Sequence, residues 1–340
     1  MATRLSREVR LKARPEAIPQ AEHFEIVSVP VPDVPEGRFL VRNLYLAVEP
    51  AMRGWVSAVA NYSAPVGIGE VMRAFAVGRV VALRHPGHAE GDLVTGLLGW
   101  REFALCDGSE VTRTVTETDL PPSLSLSLGV LGLNGLTAYF GLLDLGRPKP
   151  GDRVLVSTAA GAVGSAVGQI ARIMGCRTVG IAGGPAKTAL CRDAFGYDAA
   201  VDYRSGDLGA ALDAALPGGA DVYFDNTSGP VSDAAMARLA VGARVVICGT
   251  ASQPTWDPWP VGPRMERHVL VKRATVSGLL VLDFRHRFAE AVTRLAAWVR
   301  AGRLAYREHV TDGIGTAPGA IAELYRGENV GQRLIRLHDD

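Results

Sequence analysis

Small residues at Ala159, Gly161 and Gly164, in the run Ala159-Ala-Gly-Ala-Val-Gly164, have the spacing of a dinucleotide turn with alanine in the first glycine position. The chemistry is phosphate binding. The first small residue lets a strand turn sharply, Gly161 has no Cβ to hold a pyrophosphate off the backbone, and Gly164 lets the following helix pack close to the strand. The helix start then offers free N–H groups and the positive end of its dipole to the anion. A second position selects the cofactor. Enzymes for NAD place an acid about 20 residues further on, at the end of the next strand, to hold the ribose 2′-hydroxyl. Here that place reads Gly183-Gly184-Pro185-Ala186-Lys187, with no acid. A carboxylate would repel a 2′-phosphate and a lysine attracts it, so Lys187 points to NADPH. Tyr203 and Arg204, after the third strand, are placed to close the same pocket. A plain solvated lysine in a first helical turn would look the same in sequence.

These positions need a strand before the turn and a helix after it, and the chain supplies both. Arg153–Ser157 reads as a strand and Ala162–Met174 as a helix, with Val163, Val167, Ile170 and Met174 at helical spacing. Arg177–Ala182 is a second strand and Lys187–Phe195 a second helix. Asp221–Asp225 and Arg244–Cys248 follow as strands, and Val276–Val281 is expected as a sixth. Strand–helix alternation of this kind predicts an α/β, doubly wound parallel sheet over residues 126–308. Residues 1–125 read instead as short strands broken by Pro and Gly, such as Phe39–Leu46 and Gly78–Leu83, and predict a β-rich domain. Residues 309–340 are expected to return to irregular structure and to rejoin that first domain.

Composition sets outer limits. The 340 residues carry a net charge of +1, with 48% hydrophobic and 21% charged residues, a globular balance that gives no field for nucleic acid or an anionic membrane. No apolar run approaches the ~18 residues of a membrane span. The first ten residues lack the apolar core of a secretory signal; their arginines leave only a faint transit-peptide pattern. Cys106, Cys176, Cys191 and Cys248 show no C-x-x-C and no framework spacing, which suits the reducing cytoplasm.

With these features in place, the chain resembles the medium-chain dehydrogenase/reductase superfamily. It is most similar to the zinc-independent leukotriene B4 12-hydroxydehydrogenase/prostaglandin reductase branch, with its plant alkenal reductases and bacterial curcumin reductase. The resemblance is carried in order by Val48-Glu-Pro-Ala-Met-Arg53, Gly67-Ile-Gly-Glu-Val-Met72, Gly135-Leu-Thr-Ala-Tyr139, the glycine turn, Tyr223-Phe-Asp-Asn226, Ile247-Cys-Gly249 and Gly327-Glu-Asn-Val-Gly331. It implies a Rossmann-type sheet plus a β-rich, GroES-like domain. By position it implies that Gly161, Ala162, Val163 and Gly164 hold the pyrophosphate of NADPH, and Lys187 and Tyr203 the adenosine phosphate. Asn226, Cys248, Gly249 and Thr250 would lie at the carboxyl edge of the sheet. Leu279, Leu280 and Val281 would line the nicotinamide, Thr137 would sit near the carboxamide, and Asn329 would reach the cofactor from the returning segment unless it is an ordinary turn residue beside Gly331. A homodimer joined through the sheet edge at 276–281 is also implied. Zinc-dependent relatives carry a Cys, a Gly-His-Glu segment and four clustered Cys; Cys106, His85 and His88 form no such set, so no metal is expected.

The branch reduces the C=C bond of α,β-unsaturated aldehydes and ketones, delivering hydride to the β-carbon while charge develops on the carbonyl oxygen. Stabilising that oxygen calls for a neutral donor, either a cofactor hydroxyl or a tyrosine, whose ordinary pKa of about 10 keeps it protonated at neutral pH. Here the sequence departs from its relatives. Ala51 replaces a Tyr before Met52-Arg53, Gln253-Pro254 stand where a Tyr follows the Cys-Gly pair, and Leu133-Asn134 replace a Met-Pro pair. Tyr62, in Asn61-Tyr-Ser-Ala-Pro-Val66, is left as the catalytic candidate, with a packing role as its rival. Trp55, Trp256 and Trp259 are candidate pocket walls, and the Pro- and Trp-rich loop 253–260 is expected to bear on substrate preference. Two other functions stay open: a zinc-free NADPH:quinone oxidoreductase, and a non-catalytic NADPH-binding protein.

Overall fold

The structure is a computed structural model, and it describes residues 4–59, 62–116, 123–253, 255–256 and 258–338. They form two compact units, Met1–Gly129 with Glu308–Asp340, and Val130–Arg307.

In the first unit, short alternating runs make strands with one buried face. Strands β1 (Leu5–Leu11) and β2 (Phe24–Pro30) pair antiparallel. A mixed sheet takes β3 (Phe39–Val48), β4 (Ala76–Leu83), β5 (Leu93–Gly96), β6 (Phe103–Cys106) and β7 (Val111–Val115). Its centre is β3, ten residues long and almost wholly buried, which pairs with β4 and β6. The short helix α1 (Ala51–Trp55) follows β3 directly and buries Met52 and Trp55.

The second unit opens with α2 (Leu133–Phe140), which runs into a π-helical segment, Gly141–Gly146. Then β8 (Arg153–Ser157), α3 (Ala162–Ile173), β9 (Arg177–Ala182), α4 (Pro185–Asp193), β10 (Ala199–Asp202) and α5 (Leu208–Ala215) alternate. The alternation continues through β11 (Ala220–Asp225), α6 (Gly229–Met236), β12 (Leu239–Ile247), α7 (Glu266–Lys272), β13 (Thr275–Gly278) and α8 (Phe288–Arg300). The strand order is β10-β9-β8-β11-β12-β13, all parallel. That is the 3-2-1-4-5-6 order of a doubly wound nucleotide-binding sheet. Central strands β8 and β11 read as near-continuous apolar runs because both faces are buried.

Two expectations are corrected. The sixth strand ends at Gly278, not Val281. As an edge strand it has only β12 for a partner, and β12 stops at Ile247; after one further bond, Leu279 N to Ile247 O at 2.9 Å, the chain turns into a 3-10 segment at Val281–Arg287. The carboxyl-terminal stretch is not irregular. It forms β14 (Glu308–Asp312), α9 (Ala317–Arg326) and β15 (Gln332–Arg336), with β15 inserted between β14 and β3 in the first unit's sheet. Its apolar pattern is masked because Arg333 is itself a core residue. The guanidinium is satisfied there by Glu323 at 2.7 Å and by Thr311 Oγ1 at 2.7 Å.

Candidate functional site

In the second unit the strand order reverses between β8 and β11, and ligands of such sheets bind outside the carboxyl ends of the strands at that point. The turn after β8 is strained into place: Thr158 adopts a left-handed φ of 54°, and Gly161 N donates to Thr158 O at 2.9 Å. Gly161 is the N-cap of α3 and, having no side chain, gives the first turn no side-chain cap. A Cβ on Gly164 would collide with the carbonyl of Thr158, which is why the third glycine is needed for close packing.

Lys187 lies in the first turn of α4, half-buried. Burial first, and then the neighbouring charge of Arg204, hold its ammonium below the ordinary lysine value. Arg204 also stacks on Tyr203 at 5.5 Å, and both side chains lie over Gly183, where a Cβ would come within 2.9 Å of each. Gly184 starts the helix with φ 87°, a conformation that favours glycine. Asp202 was not foreseen from sequence. Its Oδ1 accepts from Gly184 N at 2.8 Å and Arg204 N at 2.9 Å, so this acid serves the loop backbone.

Asn226, just beyond β11, donates its side-chain N–H to Ser157 O at 2.7 Å. Beside it Asp225, also missed in the sequence, organises the whole edge. Its Oδ1 accepts from Thr227 N at 2.9 Å, Ser228 N at 3.1 Å and Ser157 Oγ at 3.2 Å, and its carbonyl accepts from Cys248 N and Gly249 N at 2.8 and 3.1 Å. Cys248, Gly249 and Thr250 are thus laid alongside Asn226. Burial and then the Asp225 charge push the Cys248 thiol up to about 12. Leu279, Leu280 and Val281 follow β13 at the same edge. A Cβ on Gly141 would come within 2.6 Å of Leu279, and Thr137 sits one helical turn before Gly141 on the same face.

The first unit holds the other candidates. Tyr62 is 57% exposed; Asn61 beside it is outside the described residues. Near it is a tyrosine that sequence reading missed, Tyr325 of α9, whose hydroxyl donates to Pro50 O at 3.0 Å while the Arg53 guanidinium stacks 5.2 Å over its ring. Burial, opposed by Arg53 and reinforced by Tyr62, raises the Tyr325 hydroxyl above its ordinary value. Arg53 and Tyr325 lie 272 positions apart, so no local motif could have joined them. Asn329 donates to Gly331 O at 2.8 Å, inside its own turn. Trp55 is a buried residue tilted against Phe75 rather than an open wall. In the second unit Trp256 and Trp259 form an exposed T-shaped pair; Pro254 and Asp257 of that loop lie outside the described residues.

Comparison with known proteins decides the family. A profile described as the N-terminal domain of oxidoreductase matches residues 7–114, and one described as zinc-binding dehydrogenase matches residues 162–297. The chain is 38% identical to the NADPH-dependent curcumin reductase of Escherichia coli, over 97% of this chain and 96% of that protein. The chain belongs to the zinc-independent branch of the medium-chain dehydrogenase/reductase family. Within this family it is also 34% identical to the 2-alkenal reductase (NADP(+)-dependent) of Nicotiana tabacum, over 98% of this chain and 97% of that one. Its fold is similar to CurA of Vibrio vulnificus, solved in complex with NADPH, with a TM-score of 0.91 and 37% identity over 98% and 100% of the two chains. Although one profile carries zinc in its description, no three of His, Cys, Asp and Glu stand together to hold a metal among the described residues. His85 and His88 pack on Phe39, and Cys106 is buried with its thiol on Ala104 O.

Proposed function

We propose that this protein is an NADPH-dependent reductase of the C=C bond of α,β-unsaturated ketones and aldehydes. The observation that carries the reading is the placement of Lys187 in the first turn of α4, with Arg204 lying over the adjoining Gly183, in a chain that aligns with reductases of such substrates over 97–98% of its length. The residues present fit NADPH. Gly161, Ala162, Val163 and Gly164 would hold the pyrophosphate, Lys187, Tyr203 and Arg204 the 2′-phosphate side, and Asn226, Cys248–Thr250, Leu279–Val281, Thr137 and Asn329 the remainder. NADPH, when bound, supplies the hydride that reaches the β-carbon. The chain's own residues fix the geometry and meet the charge on the carbonyl oxygen, for which Tyr62 is the donor.

The test is a spectrophotometric comparison of NADPH oxidation with 3-nonen-2-one and with 1,4-benzoquinone. Turnover on the enone with a saturated ketone as product is expected. Turnover on the quinone alone would make the protein a quinone oxidoreductase, and binding of NADPH without turnover on either would make it non-catalytic.

We further infer a homodimer formed through the β13 edge, supported by the unpaired strand edge and by Leu270 and Val271 exposed on the helix before it. Sedimentation should give twice the chain mass, and a charge at Leu270 should weaken it. A cytoplasmic location suits four free cysteines, and no helix among the described residues is long and apolar enough to cross a membrane.

A further inference from the structure

Arg14 stands three residues beyond β1, half-buried, far in sequence from every residue assigned a role above. Its guanidinium reaches three main-chain carbonyls. Nη1 donates to Val56 O at 2.9 Å and Ser57 O at 3.2 Å, and Nη2 to Val66 O at 2.7 Å. Val56 is the last cap of α1, where carbonyls have no helical partner, and both Val56 and Val66 are buried. Bonds from a charged donor to otherwise orphaned buried carbonyls are among the stronger ones a protein makes. One planar, rigid guanidinium makes all three, two from Nη1 and one from Nη2.

The geometry closes a loop. Val66 N donates to Trp55 O at 2.7 Å, so the two ends of segment 56–66 meet, and Arg14 binds both ends at the same junction. The backbone that carries Arg14 is itself fixed to the outgoing side: Leu11 N donates to Glu70 O at 3.0 Å and Gly69 N to Leu11 O at 2.7 Å. Arg73, stacked 5.7 Å over Trp55, holds Ser63 Oγ at 3.1 Å. Tyr62 lies on this segment, between anchored ends and with its own side chain exposed.

We propose that Arg14 is a positioning residue for the reductase reaction: by clamping the carbonyls of Val56, Ser57 and Val66 it fixes where the Tyr62 hydroxyl can reach. The inference rests on the reading of Tyr62 as the donor to the substrate oxygen. A placed donor needs a rigid support, since a displacement of about 1 Å costs on the order of 100-fold in rate.

The experiment uses the full-length protein with Arg14→Ala and Arg14→Lys, each alone and combined with Tyr62→Phe. It reads kcat and KM on an enone, NADPH affinity, melting temperature and amide exchange at Val66. Arg14→Ala should speed exchange at Val66 and lower kcat at least ten-fold, with KM and NADPH affinity changed less than three-fold. Ethylguanidine added to that variant should restore part of kcat, and Arg14→Lys should fall between, which keeps the test valid if the alanine variant folds poorly. In the Tyr62→Phe background Arg14→Ala should cost less than two-fold, because the group it positions is gone. Faster exchange with full kcat would overturn the proposal while leaving the donor reading intact. Full turnover in Tyr62→Phe would instead remove the donor reading and the proposal with it, and unchanged exchange in Arg14→Ala would show that there is no clamp.

Discussion

The hydroxyl of Tyr197 donates to the carbonyl oxygen of Gly164 at 2.6 Å, and its ring lies so close over Gly168 that a Cβ there would overlap it. One tyrosine in the connection between α4 and β10 thus sets how α3 leaves the glycine turn. Burial pushes its hydroxyl well above the ordinary 10, so the bond persists across the physiological range. Tyr197→Phe removes a second donor from a helical carbonyl that keeps its bond within α3, and should cost about 0.5–1.5 kcal/mol of stability. Gly168→Ala should cost more by overpacking, and Tyr197→Ala in the same chain should relieve part of that clash. Urea denaturation of the three variants reads both effects; additivity of the pair would show that the ring does not rest on Gly168.

Cofactor choice should follow the two cations. A charge-assisted hydrogen bond to phosphate contributes about 1.5–3 kcal/mol, so Lys187→Ala should weaken NADPH binding by roughly 10- to 100-fold and leave NADH within a few-fold. Arg204→Ala should act in the same direction. Titration by the quenching of intrinsic fluorescence measures it, and an unchanged affinity for NADPH in Lys187→Ala would refute the assignment.

Tyr62→Phe removes only an oxygen from an exposed side chain and should leave the melting temperature unchanged. If Tyr62 is the proton or hydrogen-bond donor, kcat on an enone should fall by roughly 100-fold. Full turnover would return Tyr62 to the status of a packing residue.

Glu49 gives a pH signature. Desolvation alone pushes its buried carboxyl from 4.5 up to about 7, so between these values the folded state holds a proton that the unfolded state has lost. Its contribution to stability is therefore complete below pH 4.5 and is lost as pH rises through about 7. The difference amounts to about 3 kcal/mol. Glu49→Gln should stabilise the protein at pH 8 relative to wild type and show little gain at pH 4.5. Equal stability differences at the two pH values would place the carboxyl in water.

What the sequence determined by itself was local. The glycine turn, the strand before it, the helix after it and the absence of an acid near Lys187 are all encoded within residues 153–187, because backbone approach and helix packing depend on neighbours in the chain. The parallel sheet was legible for the same reason: strand and helix periods alternate along the sequence. Tertiary structure alone decided the rest. It brought Arg204 beside Lys187, Tyr197 onto Gly164, Asp225 between two loop backbones and Tyr325 under Arg53. None of these partners shares a motif with the other, since each pair is joined across folded strands or helices. The last segment was misread because a buried Arg333 erases the alternation that marks a strand. Its partner Glu323 becomes visible only once α9 and β15 are packed together. The tyrosine that nearby relatives would place next to Met52 is absent from the sequence. What surrounds that gap, Glu49, Arg53, Tyr62 and Tyr325, is a product of folding, because burial and contact, not residue type, give those groups their chemistry.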